Sequence, residues 1–114
     1  MAHLLPSYLH TLRKQWGFSQ PEMATLFGVT ASAMSRFESL SRRPTSELIV
    51  GAEVIFGHNA KDVFPALYRQ VEQTILLRAC ELQKALEHSN DPAREEKLRL
   101  LGEIIERADP THTS

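Results

Sequence analysis

Residues 19–38 read SQPEMATLFGVTASAMSRFE, and this stretch decides how the chain is understood. Ser19-Gln20-Pro21-Glu22 has the spacing of a capping box: the Ser19 hydroxyl caps a helix start and Glu22 reaches back to the backbone. Phe18 before the cap and Met23 within the first turns suit a hydrophobic staple. The helix is short, because Gly28 follows Phe27 and takes the positive φ that ends it. A second short helix restarts at once. Thr30 is its N-cap, Val29 and Met34 form a second staple pair, and the segment continues to Glu38 or Ser39. On this helix Met34 and Phe37 share a face with Thr30, while Ser32, Ser35, Arg36 and Ser39 lie opposite. A face of small polar residues around one arginine suits the major groove of DNA. Short side chains let the backbone approach, and Arg36 has the geometry for two parallel hydrogen bonds to guanine. The same spacing also serves ordinary packing, with Ser32, Ser35 and Arg36 as a solvated surface.

Outward from this stretch, every segment has helical periodicity and none alternates long enough for a strand. A helix is expected from Pro6 to Trp16, with Leu5, Leu9, Leu12 and Trp16 on one stripe and Gly17 as its stop. Ser41–Pro44 is a loop. Thr45 caps a helix over Ser46–Phe56 that Gly57 ends, and a single turn follows Asn59. Beyond Pro65, residues 66–88 repeat Leu67, Val71, Ile75, Ala79, Leu82 and Leu86 at spacings of three and four. Asp91 then caps and Pro92 opens a last helix to Ala108, with Leu98, Leu101, Ile104, Ile105 and Ala108 on one face. The expected architecture is all-α: a bundle of four to five helices over residues 1–64, an antiparallel helical hairpin over 65–108, and a tail over 109–114.

Composition narrows the function. Of 114 residues, 42% are hydrophobic and 24% charged, the values of a globular chain rather than a disordered one. The formal net charge is −1, which excludes a protein that holds nucleic acid by bulk charge alone. Residues 1–64 carry +1 and the remainder −2. The basic excess without a nearby acid is Ser41-Arg42-Arg43-Pro44. One cysteine, Cys80, excludes an intramolecular disulfide framework and a multi-cysteine zinc site. Pro6, His10, Arg13 and Lys14 interrupt any apolar run near the start, and aliphatic runs such as Ile75–Leu77 are too short for a bilayer. A cytoplasmic protein with no membrane association is expected.

Residues 9–57 resemble the phage-repressor (Cro-like, xenobiotic-response-element) helix-turn-helix family. The resemblance rests on Leu12-Arg13, Gly17-Phe18-Ser19-Gln20, Glu22-Met23-Ala24, Leu26-Phe27-Gly28-Val29-Thr30, Met34-Ser35-Arg36-Phe37-Glu38 and Pro44. It covers about half the chain, and the run Ser19–Glu38 is its specific part. It implies a helix-turn-helix bundle that binds double-stranded operator DNA as a dimer on a palindrome. By the same resemblance, Gln20 donates to a backbone phosphate beside a helix N-terminus, and Ala24 is the small residue where the motif helices cross. Ala31, Ser32, Ser35 and Arg36 meet base edges. Arg42 and Arg43 approach the sugar-phosphate backbone, and Lys14 joins them as a backbone contact. Arg13 and Glu38 match an ion pair tying the first helix to the recognition helix. The chain departs from the family pattern at Ser39-Leu40, where a glycine is usual, and Ala31 reads only shape or a thymine methyl.

The remaining residues suggest no chemistry. His3, His10, His58, His88 and His112 lack metal-ligand spacing with each other or with Cys80, which is expected as a small core hydrophobe. No nucleophile, acid–base pair or phosphate-cradling glycine loop is present, so neither an enzyme nor a cofactor is expected. Trp16 and the phenylalanines fall at core spacing, against a stacking platform for single strands. The last two helices have a broad apolar face with three uses: packing on the first domain, homodimerisation, or docking a separate protein, as antitoxin members of the family do. The expected role is a transcriptional repressor acting as a homodimer. The alternative is a protein-interaction module, antitoxin-like, whose C-terminal helices bind a partner.

Overall fold

A computed structural model of the chain describes residues 7–108. Among them are seven α-helices and no strand: α1 (Leu9–Trp16), α2 (Gln20–Phe27), α3 (Ala31–Ser39), α4 (Ser46–Phe56), α5 (Ala60–Val63), α6 (Pro65–Glu87) and α7 (Arg94–Ala108). The helices fall into two compact units divided between Arg69 and Gln70, within α6. Leu5, Pro6, His3, His112 and the tail 109–114 lie outside the described residues.

Helices as short as α2 and α3 do not persist alone in water, so their ends are held locally. The Glu22 amide donates to Ser19 Oγ at 3.2 Å, and the Ser19 amide donates to Glu22 Oε1 at 2.8 Å, completing the capping box. The bond from the Ser19 amide, foremost, and the nearby Ser19 hydroxyl hold the Glu22 carboxyl below its usual range. The half of the capping box made by that carboxylate is therefore complete at neutral pH and is lost as pH falls through the lowered value. Thr30, Thr45 and Asn59 cap α3, α4 and α5 in the same manner, each side chain accepting from the third amide beyond it. Gly28 ends α2 at φ +69°.

The first unit is built around Leu9, Leu12, Met23, Met34, Phe37, Leu48, Phe56, Val63 and Phe64, all buried. The Tyr8 amide donates to the Val63 carbonyl at 2.8 Å, so the two ends of this unit are joined. The second unit has a much smaller core, Ala79 and Leu86 of α6 with Leu101 of α7, flanked by partly buried Leu98, Ile104 and Ile105.

Several expectations need correction. Helix α1 starts at Leu9, with Ser7 and Tyr8 ahead of it and the Leu9 amide donating to Ser7 Oγ at 3.1 Å in a local turn. Helix α7 starts at Arg94 rather than Pro92: Asp91 Oδ1 accepts from the Ala93 amide at 2.8 Å, holding a turn ahead of the helix. Trp16 is not a core residue. It lies half-exposed with its ring edge-on to Phe56, centroids 5.1 Å apart. The α6 stripe is only partly internal, since Val71, Ile75 and Leu82 are exposed where Ala79 and Leu86 are buried. Cys80 is half-buried rather than a core residue.

The departure at Ser39-Leu40 has a structural answer. Leu40 ends α3 in the left-handed conformation, φ 56°, and no other described non-glycine residue has positive φ. An L side chain there costs about 1–2 kcal/mol. The partly buried Leu40 side chain, packed against the first core, offsets that strain.

Two stability predictions follow from these positions. Leu40→Ala keeps the strain and loses the packing, whereas Leu40→Gly loses the packing and relieves the strain. Urea denaturation is expected to find the glycine variant the more stable by roughly 0.5–1 kcal/mol, the reverse of the order inside a helix. Gly51 lies inside α4, where a Cβ would stand 2.9 Å from Phe27 Cε1, while nothing lies within 4 Å of a Cβ at Gly102 in α7. Gly102→Ala is therefore expected to stabilise α7 by about 0.5–1 kcal/mol, and Gly51→Ala to give no such gain in α4. Amide hydrogen exchange of each helix reads the two effects separately.

Candidate nucleic-acid interface

Helix α3 is two-faced. Ala33, Met34 and Phe37 are buried in the first core. Ala31, Ser32, Ser35, Arg36 and Ser39 are all exposed. The helix carries two charges, Arg36 and Glu38, and the Glu38 side chain is only 5% exposed. The outward face therefore presents one charge, the Arg36 guanidinium, among small side chains. Arg36 takes part in no ion pair among the described residues.

Glu38 points inward to a polar cluster that joins three helices. Arg13 of α1 donates through Nε to Glu38 Oε2 at 2.8 Å and through Nη2 to Oε1 at 3.2 Å. Its Nη1 donates to the Phe18 carbonyl at 3.1 Å, which fixes the approach to α2. Gln20, the first residue of α2, donates its side-chain amide to Glu38 Oε1 at 3.4 Å. The expected ion-pair residues and the expected phosphate donor are thus brought together on one carboxylate. With the Arg13 and Glu38 side chains 8% and 5% exposed, the pair is nearly dry and must satisfy its own hydrogen bonds. Among the described residues no buried side-chain polar atom lacks a partner.

His10 is an exposed surface residue at the edge of this cluster. Its Nδ1 lies 3.1 Å from Arg13 Nη2 and 3.2 Å from Glu38 Oε1. Arginine can only donate and a carboxylate only accept, so one Nδ1 faces a donor and an acceptor, and the tautomer of the ring decides which of the two contacts is a hydrogen bond. The available signal was the three-residue spacing of His10 and Arg13, which places them on one face of α1.

The loop basic residues divide. The Arg42 amide donates to the Arg36 carbonyl at 3.2 Å, and its guanidinium lies 4.9 Å from the Phe37 ring centroid. Arg42 is therefore held against the end of α3 by backbone and side chain together. Ser39 Oγ also donates to the Arg36 carbonyl, at 3.2 Å. Arg43 is exposed in the loop and Lys14 exposed on α1. Ala24, expected where α2 and α3 cross, is buried, and these two helices are in extensive contact. No group of three His, Cys, Asp or Glu residues with metal-holding geometry occurs among the described residues. No helix among them is long and apolar enough to cross a membrane.

Comparison with known proteins gives no assignment: no family model, no curated protein and no solved structure matches the chain.

The buried pair yields a test by double-mutant cycle. Glu38→Leu alone leaves the Arg13 charge without its counterion and is expected to cost about 3–5 kcal/mol of unfolding free energy, and Arg13→Met alone strands the Glu38 carboxylate at a similar cost. Arg13→Met with Glu38→Leu removes both charges and is expected to cost far less than the sum of the two. A double variant destabilised by the full sum of the single variants, read by urea denaturation, would show that the two side chains are uncoupled.

Proposed function

We propose that α2, the Gly28–Thr30 connection and α3 form a helix-turn-helix that reads double-stranded DNA, and that the protein is a transcriptional repressor binding a palindromic operator as a homodimer. One observation carries the reading: the exposed face of α3 offers a single unpaired guanidinium among short side chains, while the helix's only carboxylate is buried against Arg13. Such a face enters a major groove without phosphate repulsion. Arg36 reads guanine, Ser32 and Ser35 supply hydroxyls to base edges, and Ala31 makes apolar contact. Gln20, Arg42, Arg43 and Lys14 serve the sugar-phosphate backbone. No catalytic group, metal or cofactor enters this function.

The C-terminal helices form the antiparallel hairpin that dimerises. The second unit has fewer than about forty described residues, a size at which disulfides, metals or oligomerisation usually supply the missing stability. A second copy would supply that stability without a disulfide or a metal. The exposed Val71, Ile75 and Leu82 of α6 and Leu100 of α7 provide apolar surface for it. A dimer also holds two recognition helices about 34 Å apart, as successive major grooves require. The same apolar surface supports the second reading, an antitoxin-like module that docks a different protein.

Selection from a random duplex library at two salt concentrations, with sedimentation of the free protein, separates these readings. An enriched palindrome and a dimer are expected. No enrichment, with a monomer that forms a stoichiometric complex with another protein, supports the second reading instead. On the selected operator, Arg36→Ala is expected to relax the preference at one base and cost about 1–3 kcal/mol. Gln20→Ala and Arg42→Ala should weaken every duplex alike, and Arg42→Ala should reduce the salt slope by about 1. Circular dichroism confirms that each variant is folded.

A further inference from the structure

Helix α4 is apolar around most of its circumference, with Leu48, Ile49, Val50, Ala52, Val54, Ile55 and Phe56 among its eleven residues. Its polar residues, Ser46, Glu47 and Glu53, share the remaining side. That side is uncovered: Val54 is 79% exposed and Val50 59%. Together with Leu26 of α2 they line a shallow groove of about 460 Å³, with Ser46 and Glu47 at its rim and Gly51 within it. Gly51 lets Phe27 of α2 approach α4 within van der Waals distance, so the two walls are closely packed beneath the groove. Apolar surface of this shape is the usual seat of an amphipathic helix.

Charge selects the occupant. Helices α2 and α4 carry Glu22, Glu47 and Glu53 and no lysine or arginine. Glu47 is the charged residue of the groove's own lining, and nucleic acid and anionic lipid are repelled by it. A second copy meeting this groove with its own would set Glu47 against Glu47 across a two-fold axis. We infer that the α2–α4 groove docks a segment of another protein, an amphipathic helix with aliphatic anchors flanked by lysine or arginine. This surface is separate from the outward face of α3 and does not depend on the nucleic-acid reading.

The test uses the full chain and two synthetic helical peptides with identical leucine spacing, one with lysine and one with glutamate at the flanking positions. In methyl NMR titrations the lysine peptide is expected to shift Leu26, Val50, Val54 and Ile55, and the glutamate peptide to bind far more weakly. Because Val54 is so exposed, Val54→Ser leaves the fold intact. It is expected to weaken the lysine peptide about tenfold, the effect of losing one buried valine. Glu47→Gln should lower the affinity and flatten its salt dependence. Equal affinity for both peptides, or shifts confined to residues outside α2 and α4, would overturn the proposal. So would concentration-dependent self-association that Val54→Ser abolishes, since the groove would then belong to a second copy.

Discussion

The buried pair of Arg13 and Glu38 is the constraint on which the first unit depends. A carboxylate taken out of water is tolerated only when its lone pairs are met by well-placed donors. Glu38 meets this with two bonds from Arg13 and one from Gln20. Arg13 also donates through Nη1 to the Phe18 carbonyl. Each of these bonds has a direction, so together they fix the rotation of α3 about its axis against α1 and the start of α2. Apolar packing of Met34 and Phe37 holds α3 to the core but tolerates sliding. The charged cluster removes that freedom, and with it sets which side chains of α3 face outward.

That same cluster produces the asymmetry of charge on α3. Arg36 and Glu38, two residues apart, lie on nearly opposite sides of α3, so Glu38 faces Arg13 while Arg36 faces outward. Internal neutralisation by Arg13 leaves Arg36 unopposed. Leu40 continues the arrangement: its left-handed cap turns the chain so that the Arg42 amide returns to the Arg36 carbonyl, and Arg42 settles on Phe37. The strained residue and the stacked arginine thus hold the loop that follows α3.

The order of helices was legible in the sequence because it is written in short-range grammar. Ser19, Thr30, Thr45 and Asn59 act on amides three residues away, and Gly17, Gly28 and Gly57 act on their own φ, so neighbouring residues suffice to read them. The buried and exposed faces of α3 followed from helical spacing for the same reason. What was illegible depends on contacts distant in sequence. Trp16 has core spacing yet lies half-exposed beside Phe56. Val71, Ile75 and Leu82 have the periodicity of a buried stripe, but periodicity says which residues share a face, not whether another element covers it. The place of His10 beside Glu38 was missed because the two are twenty-eight positions apart. By contrast, Val50 and Val54 lie between Ser46, Glu47 and Glu53 at helical spacing, so the outer side of α4 is marked in the sequence by its polar residues.

The small net charge takes on a different meaning once the charges have places. Acidic groups are numerous, but Glu38 is consumed internally, Glu22 is held in a cap, and Glu96 and Glu103 are paired with Arg99 on α7. The arginines of residues 36–43 lack such partners in the first unit. Under the proposed function, a protein of this kind binds arbitrary DNA weakly, since few counterions are released, and relies on the contacts of one short helix face for its preference. A second copy then becomes a requirement of affinity: a single helix with one guanidinium supplies a small discrimination, and linking two such faces on one duplex multiplies it without adding a contact. Under that function near-neutrality and a second copy would be two sides of one design, because a strongly basic monomer would gain affinity and lose the ability to choose.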